Sequence, residues 1–248
     1  MIIKQIEEEL LFFELIDRYV DTVFDMGCRT NIDYAILKPN KTYHLFDVNS
    51  NHIKTIKKEN DLSKYKINLY NFGLGKENQV RTFCHRSESF YRIWSDQISQ
   101  FEIKNIYEFL KSNSIFKIDF LKMDIEGSEP EILYLKDIVA RIPIVQFEYA
   151  STWDTWKFDG DRLKLNKIMS LYDDYIFFFL KDPNHPINSS NTDYKLLLKI
   201  NELIYKQIEL YRANNDCGCN IVMIHKELYK TMISDSSFKE TYTTFGDL

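Results

Sequence analysis

The sequence predicts an α/β fold built on a mostly parallel sheet with helices on both faces. Two observations carry that expectation. Five short apolar segments, each closing on a polar or acidic residue, recur through the first 150 residues, and segments with helical spacing lie between them. Size agrees: 248 residues at 44% hydrophobic suffice for one sizeable core.

Taken in order, Ile3, Ile6, Leu10, Phe13, Ile16 and Val20 fall at helical spacing and predict an amphipathic helix over residues 1–20. The strand candidates are TVFDMG (22–27), TYHLFDV (42–48), KINLYNF (66–72), IDFLKMDI (118–125) and PIVQFEYA (143–150). Helices are expected over 52–60, over 102–113 with Ile103, Ile106 and Leu110 on one face, and over 128–142. The last opens on Ser128-x-x-Glu131, a capping box, with Pro130 in its first turn. Beyond residue 150 the pattern changes. A loop rich in Trp and Asp (151–161) leads to a helix (162–172) and a strand, YIFFFLKD (175–182). A polar loop and a helix carrying Leu197, Ile200, Ile204, Ile208 and Tyr211 then precede a final strand, NIVMIHKE (220–227). Burial against the same chain is the default for that helix face. No repeat or linker divides the chain.

Several classes are disfavoured. No window approaches the apolar length of a membrane span, and the acidic N-terminus lacks the small residues of a signal-peptide cleavage site. Neither a membrane partner nor export is expected. Four cysteines, Cys28, Cys84, Cys217 and Cys219, lack the paired spacing of a zinc site. They read as reduced thiols of a cytoplasmic protein. A net charge of −5 without a long basic run argues against a nucleic-acid partner.

In an open parallel sheet, ligands sit beyond the carboxyl ends of the strands. Here those ends carry Asp25-Met26-Gly27, Asp47-Val48-Asn49, Asn71-Phe72-Gly73, Asp124-Ile125-Glu126-Gly127 and Glu148-Tyr149-Ala150. Gly27 allows close backbone approach to a ligand. Asp47, twenty residues on, is spaced to accept hydrogen bonds from ribose hydroxyls. Asn71 could then meet the amino edge of an adenine and Phe72 its face. A dinucleotide would require Gly-x-Gly-x-x-Gly under its pyrophosphate. Gly27 stands alone, so a cofactor without phosphates fits better. S-adenosylmethionine is such a molecule, and Asp25 and Asp124 would suit its ammonium group.

FLKMDIEGSEPEIL (120–133) resembles the most diagnostic segment of the FkbM-type methyltransferases, Lys-x-Asp-x-Glu-Gly-x-Glu with a leucine four residues on. Lys122, Asp124, Glu126, Gly127, Glu129 and Leu133 match it. VFDMGCRTN resembles the family's Asp-x-Gly-Ala-Asn-x-Gly through Asp25 and Gly27, with Cys28, Arg29 and Asn31 departing. HLFDVN resembles its second-strand end, with Asp47 for the acid and Val48 for a proline. The resemblance spans residues 20–150. It implies a Rossmann-like methyltransferase fold, a seven-stranded sheet with an antiparallel last strand, and methyl transfer from S-adenosylmethionine, most often to a hydroxyl oxygen. Asn31, in place of the second glycine, tolerates a left-handed backbone. Arg29 could crowd the methionine tail or hold its carboxylate.

For catalysis Asp124 is the first candidate. Glu148 is a candidate for substrate or base work. Glu126 is open to two readings, facing the pocket or bonding to N–H groups of its own turn. Glu129 reads as an acid complementing the helix dipole. Lys122 shares a face with Asp124 and, if buried, needs an acidic partner. Trp153, Trp156 and Phe158 suit sugar rings, or else pack as a hydrophobic lid. His185 is carried as a substrate-side residue; it and His85 otherwise read as surface histidines. Asp124 and Glu148 could share a divalent ion, though their spacing does not demand it. One domain over 1–248 is expected: the N-terminal helix, a cofactor-binding core (20–150), and a substrate-side part (151–248) with an insertion at 182–218 that covers substrate or forms a homodimer surface. The acceptor is expected to be a small-molecule or glycan hydroxyl. The alternative is a catalytically inactive scaffold or binding domain of the same fold.

Overall fold

The computed structural model describes residues 8–84, 98–155, 157–158, 161–180, 196–214 and 218–235. Its strands are β1 (Thr22–Met26), β2 (Thr42–Phe46), β3 (Lys66–Tyr70), β4 (Gly73–Gly75), β5 (Gln79–Cys84), β6 (Ile98–Asn105), β7 (Phe120–Met123), β8 (Ile144–Tyr149), β9 (Lys157–Phe158), β10 (Asp161–Arg162), β11 (Tyr175–Leu180), β12 (Leu197–Lys199) and β13 (Cys219–His225). Its helices are α1 (Glu8–Ile16), α2 (Asp33–Leu37), α3 (Ser50–Glu59), α4 (Ile106–Ser112), α5 (Glu129–Leu133), α6 (Lys136–Val139), α7 (Leu165–Leu171), α8 (Glu202–Asn214) and α9 (Lys226–Ser234).

Eight strands form the main sheet, in the order β12-β11-β13-β8-β7-β1-β2-β3. From β8 to β3 the strands run parallel, whereas β13 is antiparallel to both β8 and β11. The seven expected strands and the antiparallel last strand are therefore present, and this is the Rossmann-like methyltransferase fold. The eighth, β12, is an antiparallel edge strand on β11. It takes Leu197 out of the helix that the sequence suggested. Ile204, Ile208 and Tyr211 of α8 do share a face that packs on the core.

Two further differences have local causes. The helix expected over 102–113 starts only at Ile106, because Phe101 and Ile103 alternate inward as part of β6. Asn105 then caps α4, accepting from the N–H groups of Tyr107 (2.9 Å) and Glu108 (3.1 Å). The helix expected over 128–142 is broken into α5 and α6, and Ser128 makes no side-chain cap. Glu131, the other half of the expected capping box, pairs instead with Arg81.

Side chains alternate across the sheet as a two-residue period requires. Phe24, Met26, Leu121 and Met123 enter the cluster beneath α4 to α8, while Val23 and Phe120 enter the cluster beneath α1, α2 and α9. Asp25 and Lys122 share the second face, and are direct partners in the β1–β7 register. α1 is too short to hold a helix alone and is fixed by packing. Its Phe12 meets Phe120 edge-on at 6.0 Å, and its Phe13 lies 4.6 Å from the Tyr34 ring. No helix among the described residues is long and apolar enough to cross a membrane. Replacing the fully buried Phe13 with alanine is expected to cost about 3–5 kcal/mol. Urea unfolding monitored by circular dichroism checks this, and a loss below about 1 kcal/mol would mean that α1 is not docked as described.

Candidate functional site

The site begins at the turn after β1. The carbonyl of Phe46, at the end of β2, accepts from the N–H groups of Gly27 (2.9 Å) and Cys28 (3.1 Å). On the other side, Asp124 N donates to the Met26 carbonyl at 2.9 Å. The turn is thus stitched to both neighbouring strands. Gly27 has φ +87°, and a β-carbon there would lie 1.8 Å from the Asp124 carbonyl oxygen. Only glycine fits both the conformation and the contact.

Asp47 follows the end of β2 and is aimed by its own neighbours. Its Oδ2 accepts from Arg29 N at 2.8 Å and its Oδ1 from Asn49 N at 2.7 Å. His52 Nδ1 lies 3.1 Å from Oδ2. Asn49 in turn caps α3, accepting from Asn51 N at 3.0 Å.

Below the turn sits Lys122, with its side chain 8% exposed. Its Nζ lies 3.7 Å from Asp25 Oδ1, 3.7 Å from Asp124 Oδ2 and 3.9 Å from Glu9 Oε2. Burial works against this ammonium, but the carboxylates of Asp25, Glu9 and Asp124 overcome it and push its pKa above the ordinary lysine value. Burial raises the pKa of Asp25 to about 6, against the pull of Lys122. Among the described residues, Asp25 Oδ1 has no hydrogen-bond partner.

The turn after β7 is shaped by Glu129, which is fully buried. Its Oε1 accepts from Ile125 N at 2.8 Å and its Oε2 from Trp153 Nε1 at 3.0 Å. Burial raises its pKa to about 7, opposed by the backbone N–H donors around it. Glu126 and Gly127 both take positive φ in this turn, at 56° and 98°. Glu148, at the end of β8, is pushed up to about 8 by burial, then by the charges of Asp124, Glu129 and Glu126; Arg29 pulls it back. Gly218 packs directly on it, since a β-carbon at 218 would lie 2.0 Å from Glu148 Oε1.

Two cavities meet at these turns. The first encloses about 720 Å³, part of it open to solvent, and is lined by Gly27, Asp47, Val48, Phe72, Asp124 and Glu126 among others. The second encloses about 960 Å³, is likewise partly open, and is lined by residues of α1 and by Asp25, Asn31 and Lys122. Gly27, Arg29 and Asp124 line both, so the cavities adjoin along the β1 and β7 strand ends.

The sequence model of the Methyltransferase FkbM domain matches residues 31–181. The chain belongs to the FkbM methyltransferase family. No curated protein sequence matches this methyltransferase significantly. Solved structures similar to it include an rRNA methylase from Streptococcus thermophilus, at TM-score 0.48 and 11% identity over 91% of this chain and 99% of that one. SMU.1697c from Streptococcus mutans, in complex with SAH, gives 0.44 and 9% over 90% and 99%. A SAM-dependent methyltransferase from Archaeoglobus fulgidus gives 0.42 and 12% over 88% and 93%.

The cofactor of this methyltransferase is S-adenosylmethionine, and the residues present suit it. Gly27, without a side chain, the Asp47 carboxylate and the Phe72 ring all line the first cavity, and their chemistry fits a floor, a ribose and an adenine respectively. The second cavity, lined by Asp25 and Asp124, suits an ammonium group. Among the described residues, no cluster of three His, Cys, Asp or Glu could hold a metal ion.

Most of the sequence-derived site residues converge, with several changes of role. Asn71 is not on the wall of the first cavity: its Nδ2 donates to the carbonyls of Asp47 (2.9 Å) and Val48 (3.1 Å), which ties the side chain to the β2 end. Asn31 does not take the left-handed position; Arg29 does, at φ 51°. The Asn31 side chain accepts from Asp33 N at the start of α2. Trp153 offers no surface to a sugar. It is fully buried, stacked 5.7 Å from Phe147, because its N–H is needed to anchor Glu129. Glu126 faces the first cavity but is ion-paired to Arg29 Nη2 at 2.9 Å. Glu148 lies off the walls of both cavities as described. Trp156 and His185 lie outside the described residues. Sequence reasoning missed His52, Arg81 and Ile103, which also line the first cavity. The alternation of Phe101, Ile103 and Asn105 was the available signal for the last, since it marks a strand.

Two outcomes follow from this geometry. Gly27→Ala is expected to abolish S-adenosylhomocysteine binding in calorimetry and to lower the melting temperature. Unimpaired binding would mean that the Gly27–Asp124 approach is not needed. Glu148 has a folded pKa near 8, well above its ordinary value of 4.5, so the folded state holds a proton that the unfolded chain has lost between those values. Its contribution to stability is full below pH 4.5 and lost as pH rises through about 8. Glu148→Gln should flatten that fall and be the more stable protein above pH 8, as measured by urea unfolding across pH.

Proposed function

We propose that this methyltransferase transfers the methyl group to a hydroxyl oxygen, with a sugar or glycan as the leading acceptor class. One observation supports the site: Gly27, Asp47, Phe72 and Asp124, from four strand ends, line one cavity. Bound S-adenosylmethionine supplies an electrophilic methyl group on a sulfonium. The chain's own residues do the rest. Asp47 accepts from the ribose hydroxyls, Phe72 stacks on the adenine, and Asp25 and Asp124 take the ammonium end. Holding reactants in line is worth up to about 7–11 kcal/mol of barrier.

A hydroxyl is a poor nucleophile until its proton leaves, and a positioned base contributes about 10²–10⁴-fold. Glu148 is the base we favour. Its carboxyl titrates near neutrality, at about 8, so it can hold the hydroxyl proton and release it again. Asp124 and Glu126, whose charges act on Glu148, line the first cavity and orient the reacting groups. The carbohydrate class rests on the family resemblance alone, now that Trp153 is assigned to the core. The net charge of −5 disfavours a polyanionic acceptor such as RNA. A cytoplasmic location is part of this reading, with the cysteines taken as thiols.

Calorimetry with S-adenosylmethionine and S-adenosylhomocysteine, followed by methyl uptake onto a panel of nucleotide sugars and oligosaccharides, tests this reading. Micromolar cofactor binding, lost in Asp47→Ala, is expected. Glu148→Gln should retain binding and lose transfer by about 10²-fold or more. No binding at millimolar ligand would replace this reading with that of an inactive scaffold domain.

A further inference from the structure

Three non-glycine residues among those described have positive φ: Arg29, Ser114 and Glu126. Two of the three meet at the cavity, where Arg29 Nη2 pairs with Glu126 Oε1 at 2.9 Å. A left-handed backbone is unfavourable for a residue with a β-carbon, and its concentration at one site points to a role there.

The charges around the second cavity suggest what that role is. Five carboxylates line it against two cations, Lys122 and Arg29. An amino-acid tail entering this space finds abundant partners for its ammonium and few for its carboxylate. Lys122 is buried and already shared by Glu9, Asp25 and Asp124. Arg29 differs: its side chain is 54% exposed, it borders both cavities, and it is ion-paired to Glu126, which is itself 26% exposed. An ion pair in contact with solvent is weak and readily exchanged. A guanidinium, moreover, can hold a carboxylate through two parallel hydrogen bonds.

We propose that Arg29 holds the α-carboxylate at the methionine end of S-adenosylmethionine, exchanging Glu126 for it when the cofactor binds. The proposal rests on the reading of the two adjoining cavities as the cofactor site. Glu126 is then the internal competitor that occupies the guanidinium in the empty protein. Its carboxylate is released toward the first cavity as the tail settles.

Two ligands separate the carboxylate from the rest of the molecule. S-adenosylhomocysteine carries it; S-adenosyl-3-thiopropylamine keeps the adenosine and the ammonium but lacks it. Binding of both is measured by calorimetry on the full chain, for wild type, Arg29→Met and Glu126→Gln, with thermal melting to verify folding. Arg29→Met should weaken S-adenosylhomocysteine about 10- to 100-fold, the loss typical of a charge-assisted contact, without weakening the amine. Glu126→Gln should tighten S-adenosylhomocysteine about two- to fivefold by removing the competitor, and leave the amine unchanged. Equal weakening of both ligands by Arg29→Met, no effect on either, or weaker S-adenosylhomocysteine binding in Glu126→Gln overturns the proposal. If wild type binds neither ligand, the cofactor-site reading fails first and takes the proposal with it.

Discussion

Lys122 places a positive charge beneath the carboxyl ends of β1 and β7, within 3.9 Å of carboxylates from α1, β1 and the turn after β7. Without it, Glu9, Asp25 and Asp124 would repel one another at close quarters. A buried charge is tolerated only when it is paired, and here one cation compensates several acids at once. The excess of negative charge that remains is what makes the second cavity suited to a cationic group. The same cluster attaches the N-terminal helix to the site, through Glu9, which also accepts from the Tyr34 hydroxyl at 3.3 Å.

Above that cluster the backbone does the positioning. Gly27 and Asp124 are held so close that no side chain fits between them, and Phe46 and Met26 supply the carbonyls that keep the two turns in register. Glu129 and Trp153 brace the β7 turn from inside the core. Asp47 is braced by Arg29 N and Asn49 N. The acids that face the cavities are therefore aimed by backbone donors and strand register more than by their own rotamers. Such preorganisation limits what must be ordered when a ligand arrives.

Much of this could be read from the sequence. The five parallel strands declared themselves as apolar runs ending on polar residues, and Asp25, Gly27, Asp47 and Asp124 fell where the strand-end rule places a ligand. What could not be read was how neighbours would occupy particular side chains. Asn71 has the chemistry to meet an adenine, yet its amide nitrogen is given to two carbonyls of the β2 end. Trp153 looks like a sugar platform until its partner Glu129, distant in sequence, is seen beside it. Ser128 and Glu131 have the spacing of a capping box, yet Arg81 from another sheet draws the glutamate away. The helical spacing of Ile103, Ile106 and Leu110 competed with a strand whose partners, β4 and β5, lie elsewhere in the chain. Local pattern reports what a residue can do; long-range contacts decide which of those things it does.

The Glu9–Lys122 contact also bears on the order in which the molecule can be made. Its two ends are separated by almost half the chain. On the ribosome α1 emerges early, with its acids uncompensated and its Phe12 and Phe13 lacking the Phe120 ring that they pack on. Contacts so distant in sequence form late. α1, synthesised before the sheet, is therefore among the last elements to dock, and it must remain soluble through the translation of β1, β2, β3 and the small sheet that follows. The glutamates at 7, 8, 9 and 14, beside such an apolar face, serve that interval as much as they serve the finished protein.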